Sequence, residues 1–367
     1  MEDLYYYTKV ETMRYILENA NIFATNIKYM NDSEEYANGI NELNNIYKSK
    51  MEKREIPREK IDAELEKDVP IYSISFSGAR DLLSQWSMYA GESGVSIRMQ
   101  FDKNEKYKVV AQKHGEAAQM CGERQLLVKD NVFIYPKKVW YCTKAAMKVD
   151  DYEDEVEKIW EAIHSGEEEY TASDIDESFV GICRNITPYI KHAEFKAEQE
   201  YRLVFEKSQW RNGDYDFKID YRNCGNVLKP YLDVVCENGW PIHEIIIGPG
   251  SNQDIVFKSV RHFLNNAKLS VPKLNVLTYL SRFEEYLKLC GDMPTIIQDL
   301  WIKQKEDASN RNSEAIYDEL CGTKRRIINL LEGRDAATEF LDKINKTEFT
   351  KTGIILSRSR IPYVFER

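Results

Sequence analysis

Lys196-Ala197-Glu198-Gln199-Glu200-Tyr201-Arg202-Leu203-Val204-Phe205 is the stretch on which the reading of this chain turns. Gln199–Phe205 (QEYRLVF) predicts a strand, because Tyr, Leu, Val and Phe suit a pleated, half-buried surface. Glu198 and Glu200 stand two apart at its start, and residues two apart on a strand point to the same face. A carboxylate on a face beside a cleft can stabilise an oxocarbenium-like centre or orient a nucleophile. The same pair also reads as a solvated strand start that neutralises Arg202. Both readings stay open on these residues alone.

Working outward, strand-like runs recur at Leu4–Thr8, Ile22–Thr25, Ile71–Ser77, Gly94–Phe101, Lys138–Cys142, Val227–Val235 and Ile245–Ile247, the last ending at the turn signal Gly248-Pro249-Gly250. Helical spacing predicts helices at Glu11–Asn19, through Met13, Ile16 and Leu17, and at Asp254–Asn265, through Val256, Val260, Phe263 and Leu264. Leu82–Ala90 predicts a short helix or turn. Phe179–Lys191 predicts a mixed helical segment. Asn31-Asp32-Ser33-Glu34-Glu35 predicts a helix cap, opening a polar helix to about Tyr47. Beyond Asn265 the pattern changes. Tyr279–Leu289, Thr295–Lys305, Ser313–Glu332 and Asp335–Ile344 predict helices with breaks at Gly291, Asn310, Gly322 and Gly333, and strand signal returns only at Ile354-Ile355-Leu356. Strands and short helices followed by a helical block predict an α+β fold.

The 367 residues carry 51 Lys and Arg against 61 Asp and Glu, a formal charge of −10. The 144–180 stretch holds 13 acidic residues and 3 Lys, so this one acidic helical segment carries the whole imbalance and the rest of the chain is near neutral. Net charge therefore does not exclude a phosphate-bearing ligand. No basic leader followed by an apolar run opens the sequence, and no apolar run approaches the ~18 residues of a membrane span, which predicts no membrane partner. Seven widely spaced Cys with no C-x-x-C predict a reducing, cytoplasmic setting. The five His show no metal-ligand spacing, so no metal is expected. G-x-G-x-x-G, Walker and G-x-S-x-G devices are absent from the sequence.

Several short motifs resemble an uncharacterised bacterial domain-of-unknown-function family. They are Leu4-Tyr5-Tyr6-Tyr7-Thr8, the Asn31–Glu35 turn, Ile74-Ser75-Phe76-Ser77, Ser84-Gln85-Trp86-Ser87-Met88-Tyr89, Glu198-Gln199-Glu200-Tyr201-Arg202, Ile246-Ile247-Gly248-Pro249 and Ser359-Arg360-Ile361-Pro362-Tyr363, in the family's order. The layout is similar to the ADP-ribosyltransferase (ART) fold. That resemblance implies a mixed, mostly antiparallel sheet core with flanking helices. It implies Glu200 as the catalytic carboxylate and Glu198 as its acceptor-orienting neighbour. It also implies Tyr6 or Tyr7 with Thr8 at the nicotinamide ribose, Trp86 or Tyr89 stacking on an aromatic ring, and Arg202 and Arg360 as further ligand contacts. Where many relatives carry His in the first motif this chain has Tyr6, whose hydroxyl can also hydrogen-bond a ribose.

The implied chemistry is loss of nicotinamide from NAD, as a transferase or NAD glycohydrolase, with NAD as substrate and a protein, nucleic acid or water as acceptor. A bacterial toxin or anti-phage defence effector role is the implied setting. By the same comparison 1–276 plus 354–367 form the core, and 277–353 form an inserted helical subdomain offering a partner surface. The competing expectation is a non-catalytic nucleotide-sensing or protein-interaction module on the same fold.

Overall fold

A computed structural model describes residues 1–30, 36–41, 71–91, 94–105, 107–111, 133–142, 186–206, 219–250, 252–309, 315–334 and 337–361. In chain order the strands are β1 (Glu2–Lys9), β2 (Asn21–Asn26), β3 (Ile71–Ser77), β4 (Gly94–Phe101), β5 (Tyr107–Ala111), β6 (Phe133–Ile134), β7 (Lys137–Lys138), β8 (Trp140–Cys142), β9 (Ile190–His192), β10 (Glu200–Glu206), β11 (Asp220–Cys224), β12 (Val227–Cys236), β13 (Ile242–Ile247), β14 (Glu348–Phe349) and β15 (Ile355–Arg358). The longer helices are α1 (Val10–Asn19), α2 (Gln253–Asn266), α3 (Val276–Leu289), α4 (Thr295–Ser309), α5 (Ile316–Leu331) and α6 (Thr338–Lys346). Two units emerge, each made of discontinuous segments. The first is Met1–Asn21, Ala79–Glu105 and Cys236–Arg367, and the second is Ile22–Gly78 and Lys106–Val235.

In the first unit the strand order is β14-β15-β13-β4-β1. β1 and β4 pair antiparallel over their full length, from Glu2↔Phe101 to Lys9↔Gly94. β13 is antiparallel to β4 and parallel to β15. β4 lies between β1 and β13 and is buried along almost its whole length. α1 presents Met13, Ile16 and Leu17 to the core and ends at Ala20, which adopts the left-handed conformation at φ 56°. The Ala20 carbonyl then accepts from the Trp240 indole at 2.8 Å and from the Cys236 amide at 3.1 Å. Helices α3 to α6 enclose a second core of Phe283, Tyr286, Trp301, Leu320 and Ile327, into which Phe349 inserts edge-on to Phe283 at 5.3 Å.

In the second unit β3 pairs antiparallel with β2 and β10, and β10 with β7. A β11–β12 hairpin turns at Gly225 with φ 61°, a conformation open to glycine at little cost. β8 and β9 pair in parallel. The fold class is α+β with mostly antiparallel pairing.

The structure corrects several local expectations. Gly322 does not break a helix: it lies inside α5. A lone interior glycine costs only ~1 kcal/mol, which burial of Leu320, Thr323 and Ile327 outweighs. α3 begins at Val276 rather than Tyr279, because Asn275 caps it, its Oδ1 accepting from the Thr278 amide at 2.8 Å. On α2 the buried residues are Phe257, Val260 and Leu264, with Val256 and Phe263 only half-buried. The described end of Phe179–Lys191 is a 3₁₀ turn, Thr187–Tyr189, followed by β9, since Pro188 cannot donate to a continuing helix. The Asn31–Glu35 cap, the acidic 144–180 segment and Pro362-Tyr363 lie outside the described residues.

Candidate functional site

Glu198 and Glu200 do converge, though strand alternation is not the cause. Glu198 ends a 3₁₀ turn (Ala193–Glu198), Gln199 adopts the left-handed conformation at φ 47°, and the strand starts only at Glu200. The reversal is anchored to the end of β3. The Ser77 hydroxyl donates to the Glu198 carbonyl at 2.6 Å, and the Gly78 amide donates to the Gln199 carbonyl at 2.8 Å. Both carboxylates then meet Lys191 of β9, whose Nζ lies 2.9 Å from Glu198 Oε2 and 2.7 Å from Glu200 Oε2. Arg202 grips Glu200 with two donors, Nε to Oε1 at 2.6 Å and Nη2 to Oε2 at 3.1 Å, while its Nη1 donates to the Pro188 carbonyl at 2.6 Å. The Glu200 amide donates to the Tyr141 hydroxyl at 2.6 Å.

All four charged groups are buried, and Arg202 is fully so. Among the described residues two cations balance two carboxylates, as burial of charge demands. Burial by itself would raise the Glu200 pKa, but the guanidinium of Arg202 and the ammonium of Lys191 outweigh it and hold it at about 2. Glu200 is thus an ionised, fixed carboxylate at neutral pH. Burial also pushes the Tyr141 hydroxyl up to about 12, so it stays protonated.

The other site residues read from the motifs, Tyr6, Tyr7, Thr8, Trp86, Tyr89 and Arg360, belong to the first unit. Along β1 the side chains alternate, which sets Tyr5 and Tyr7 on one face and Tyr6 on the other. Tyr7 packs edge-on against Trp86 at 4.8 Å, and both join Tyr5, Ala90 and Ile246 in a buried cluster with Ile361 against it. The Tyr7 hydroxyl donates to the Ala79 carbonyl at 2.7 Å and accepts from the Leu82 amide at 3.0 Å. Trp86 opens a single π-helical turn, Trp86–Ala90. A Cβ at Gly248 would stand 2.9 Å from two carbons of its ring, so the close passage of the Gly248-Pro249 turn over the indole requires glycine.

Asp81 ties this cluster to the end of the chain. Its Oδ1 accepts from the Trp86 indole and from the Ser359 hydroxyl, each at 2.7 Å, and its Oδ2 from the Arg360 amide at 2.8 Å. Residues of four of the motifs read from the sequence (Leu4–Thr8, Ser84–Tyr89, Ile246–Pro249 and Ser359–Ile361) therefore meet at one place. Thr8 is buried, Tyr6 half-buried, and Tyr89 exposed on the π turn.

Glu198, Glu200 and Arg202 thus form one cluster of the second unit; Tyr7 and Trp86 form another, in the first. Sequence reasoning missed Lys191, Tyr141 and Asp81. A single lysine in Ile190-Lys191-His192 carries no motif, and Asp81 acts through partners up to 279 positions away. Among the described residues no group of three or more His, Cys, Asp and Glu is placed to hold a metal ion, and no helix is long and apolar enough to cross a membrane.

Fold and cluster together define an α+β protein with a buried carboxylate centre held by cations. Residues 85–203 match the model of a family of proteins of unknown function, DUF2971. The match starts within Ser84-Gln85-Trp86 and ends within β10. No curated protein and no solved structure matches the chain.

Proposed function

We propose that the protein acts on NAD through an ART-like core, with Glu200 facing the oxocarbenium-like centre that forms as nicotinamide leaves. The observation that carries this reading is the Glu200 carboxylate itself: ionised at neutral pH, with a pKa of about 2, and fixed by three hydrogen bonds to Arg202 and Lys191. Such a group is already ionised when positive charge develops beside it. The bond between the ribose C1′ and the nicotinamide nitrogen breaks, nicotinamide departs neutral, and an acceptor oxygen or nitrogen bonds to C1′ and loses its proton. Lys191 occupies one side of Glu200, so a cationic sugar centre would take over its place as counter-ion. Glu198, which also pairs with Lys191, would hold the displaced ammonium.

One observation favours a second reading. Both oxygens of Glu200 are engaged by protein cations and the side chain is only 5% exposed. That arrangement suits a structural ion cluster in a non-catalytic nucleotide-sensing module. Nicotinamide release from NAD, followed by chromatography, separates the two. The enzyme reading expects turnover by the wild-type chain, and a fall of at least ~100-fold in kcat for Glu200→Gln with the native circular dichroism spectrum retained. Saturable NAD binding without nicotinamide release would support the sensing reading and overturn the enzymatic one.

A further inference from the structure

A cavity of about 480 Å³ opens at the carboxyl ends of the parallel strands β13 and β15. It is walled by the first turn of α2, the last turns of α6 and the segment Ser357–Arg360, all within the first unit. Crevices beyond the carboxyl ends of parallel strands are common ligand sites in open sheets, and the volume falls in the usual range for organic ligands. Among the described residues five cations reach it, Arg80, Lys343, Lys346, Arg358 and Arg360, and two carboxylates, Asp254 and Asp342.

The two inner guanidiniums are held rigidly. Arg358 stacks on the Phe257 ring at 3.7 Å and donates to the Lys346 carbonyl at 2.7 Å and Asp254 Oδ1 at 3.0 Å. Arg80 donates through Nη2 to Glu244 Oε1 at 2.5 Å and to the Ser357 hydroxyl at 3.2 Å. Each keeps donor capacity unused: both Nε atoms are buried without a hydrogen-bond partner among the described residues. The outer cations are loosely held. Among the described residues Lys343 and Lys346 pair only at i,i+4, with Glu339 and Asp342, whose side chains are 84% and 55% exposed, so exchange for another anion is cheap. Arg360 has no carboxylate within ion-pair distance among the described residues; its Nη2 reaches only the Leu289 carbonyl, at 3.5 Å.

Pre-set planar guanidiniums with mobile ammoniums and a surplus of positive charge are the chemistry that holds phosphate. We propose that this cavity is a binding site for an organic phosphate of nucleotide size, its phosphates met by Arg360, Lys343 and Lys346 and backed by Arg80 and Arg358. The Ser359 hydroxyl and the Arg360 amide are both held by Asp81, so the Trp86 cluster fixes the wall that carries Arg360. These residues belong to the first unit alone, so the proposal stands independently of the role of Glu200.

Isothermal titration of the full chain with ADP, inorganic pyrophosphate and sulfate, at one fixed ionic strength, tests it. Saturable one-site binding of ADP is expected, tighter than pyrophosphate and far tighter than sulfate. Arg360→Gln and Lys343→Gln, both at surface positions, should each weaken ADP by about tenfold with melting temperature unchanged. ADP binding no tighter than sulfate, or an unchanged ADP affinity in both variants, overturns the site. Pyrophosphate binding as tightly as ADP overturns its nucleotide size.

Discussion

Replacing Glu200 by Gln removes one charge from a buried group of four and keeps its shape. A carboxyl held at about 2 rather than 4.5 contributes about 3 kcal/mol of stability at neutral pH. Structure gives a second route to the same magnitude. The variant removes the carboxylate that Lys191 and Arg202 share in a buried setting, and breaking one side of such a cluster costs about 3–5 kcal/mol. For a unit of this size, ~2–4 °C per kcal/mol translates this into a melting temperature lower by about 6–12 °C. The pH dependence has a definite sign. The folded-state pKa is depressed, so the Glu200 contribution is complete above about 4.5 and disappears as pH falls towards 2. Scanning calorimetry of both proteins from pH 7 to pH 3 should show a constant gap down to about pH 4.5 and a narrowing gap below it. A Glu200→Gln melting temperature within 1 °C of wild type at pH 7 would refute the reasoning, as would a gap that stays constant to pH 3.

Gly248→Ala forces a methyl to 2.9 Å from the Trp86 ring, and should destabilise by about 1–3 kcal/mol, read as a lower melting temperature with altered tryptophan fluorescence. Gly322→Ala adds a methyl into open space within α5 and should raise stability by about 0.5–1 kcal/mol in denaturant titration. Asp81→Asn presents an amide to three donors from Trp86, Ser359 and Arg360. Hydrogen exchange should show faster exchange at the Arg360 amide, with protection in α5 unchanged.

Much of the architecture was legible locally. The alternation of Ile71–Ser77 and Gly94–Phe101 and the 3.6-residue spacing of Met13, Ile16 and Leu17 are one-dimensional signals of burial, and the elements formed where those signals stood. Errors fell where a single side chain or partner sets the boundary: the Asn275 cap, the Pro188 turn, and Gly322 carried by its buried neighbours. The two-residue strand β14 is too short to leave any periodic trace.

The candidate site divides the same way. Its carboxylates were readable, since Glu198 and Glu200 sit beside a strand whose pattern is plain. Their partner was not, because Lys191 reaches them from another strand and a buried lysine looks, in sequence, like any solvated one.

By itself, then, the sequence determined the α+β class, the chemistry available at Glu198, Glu200 and Arg202, and the motifs around Tyr7, Trp86 and Gly248. Tertiary structure alone decided that Glu200 is neutralised by Lys191, and that Asp81 joins the Trp86 turn to Ser359 and Arg360. It also decided that Arg80, Lys343 and Arg358, scattered over 279 positions, line one cavity. The reason is physical. Burial leaves a periodic mark along the chain, whereas a charge or hydrogen-bond partner is chosen by distance in space.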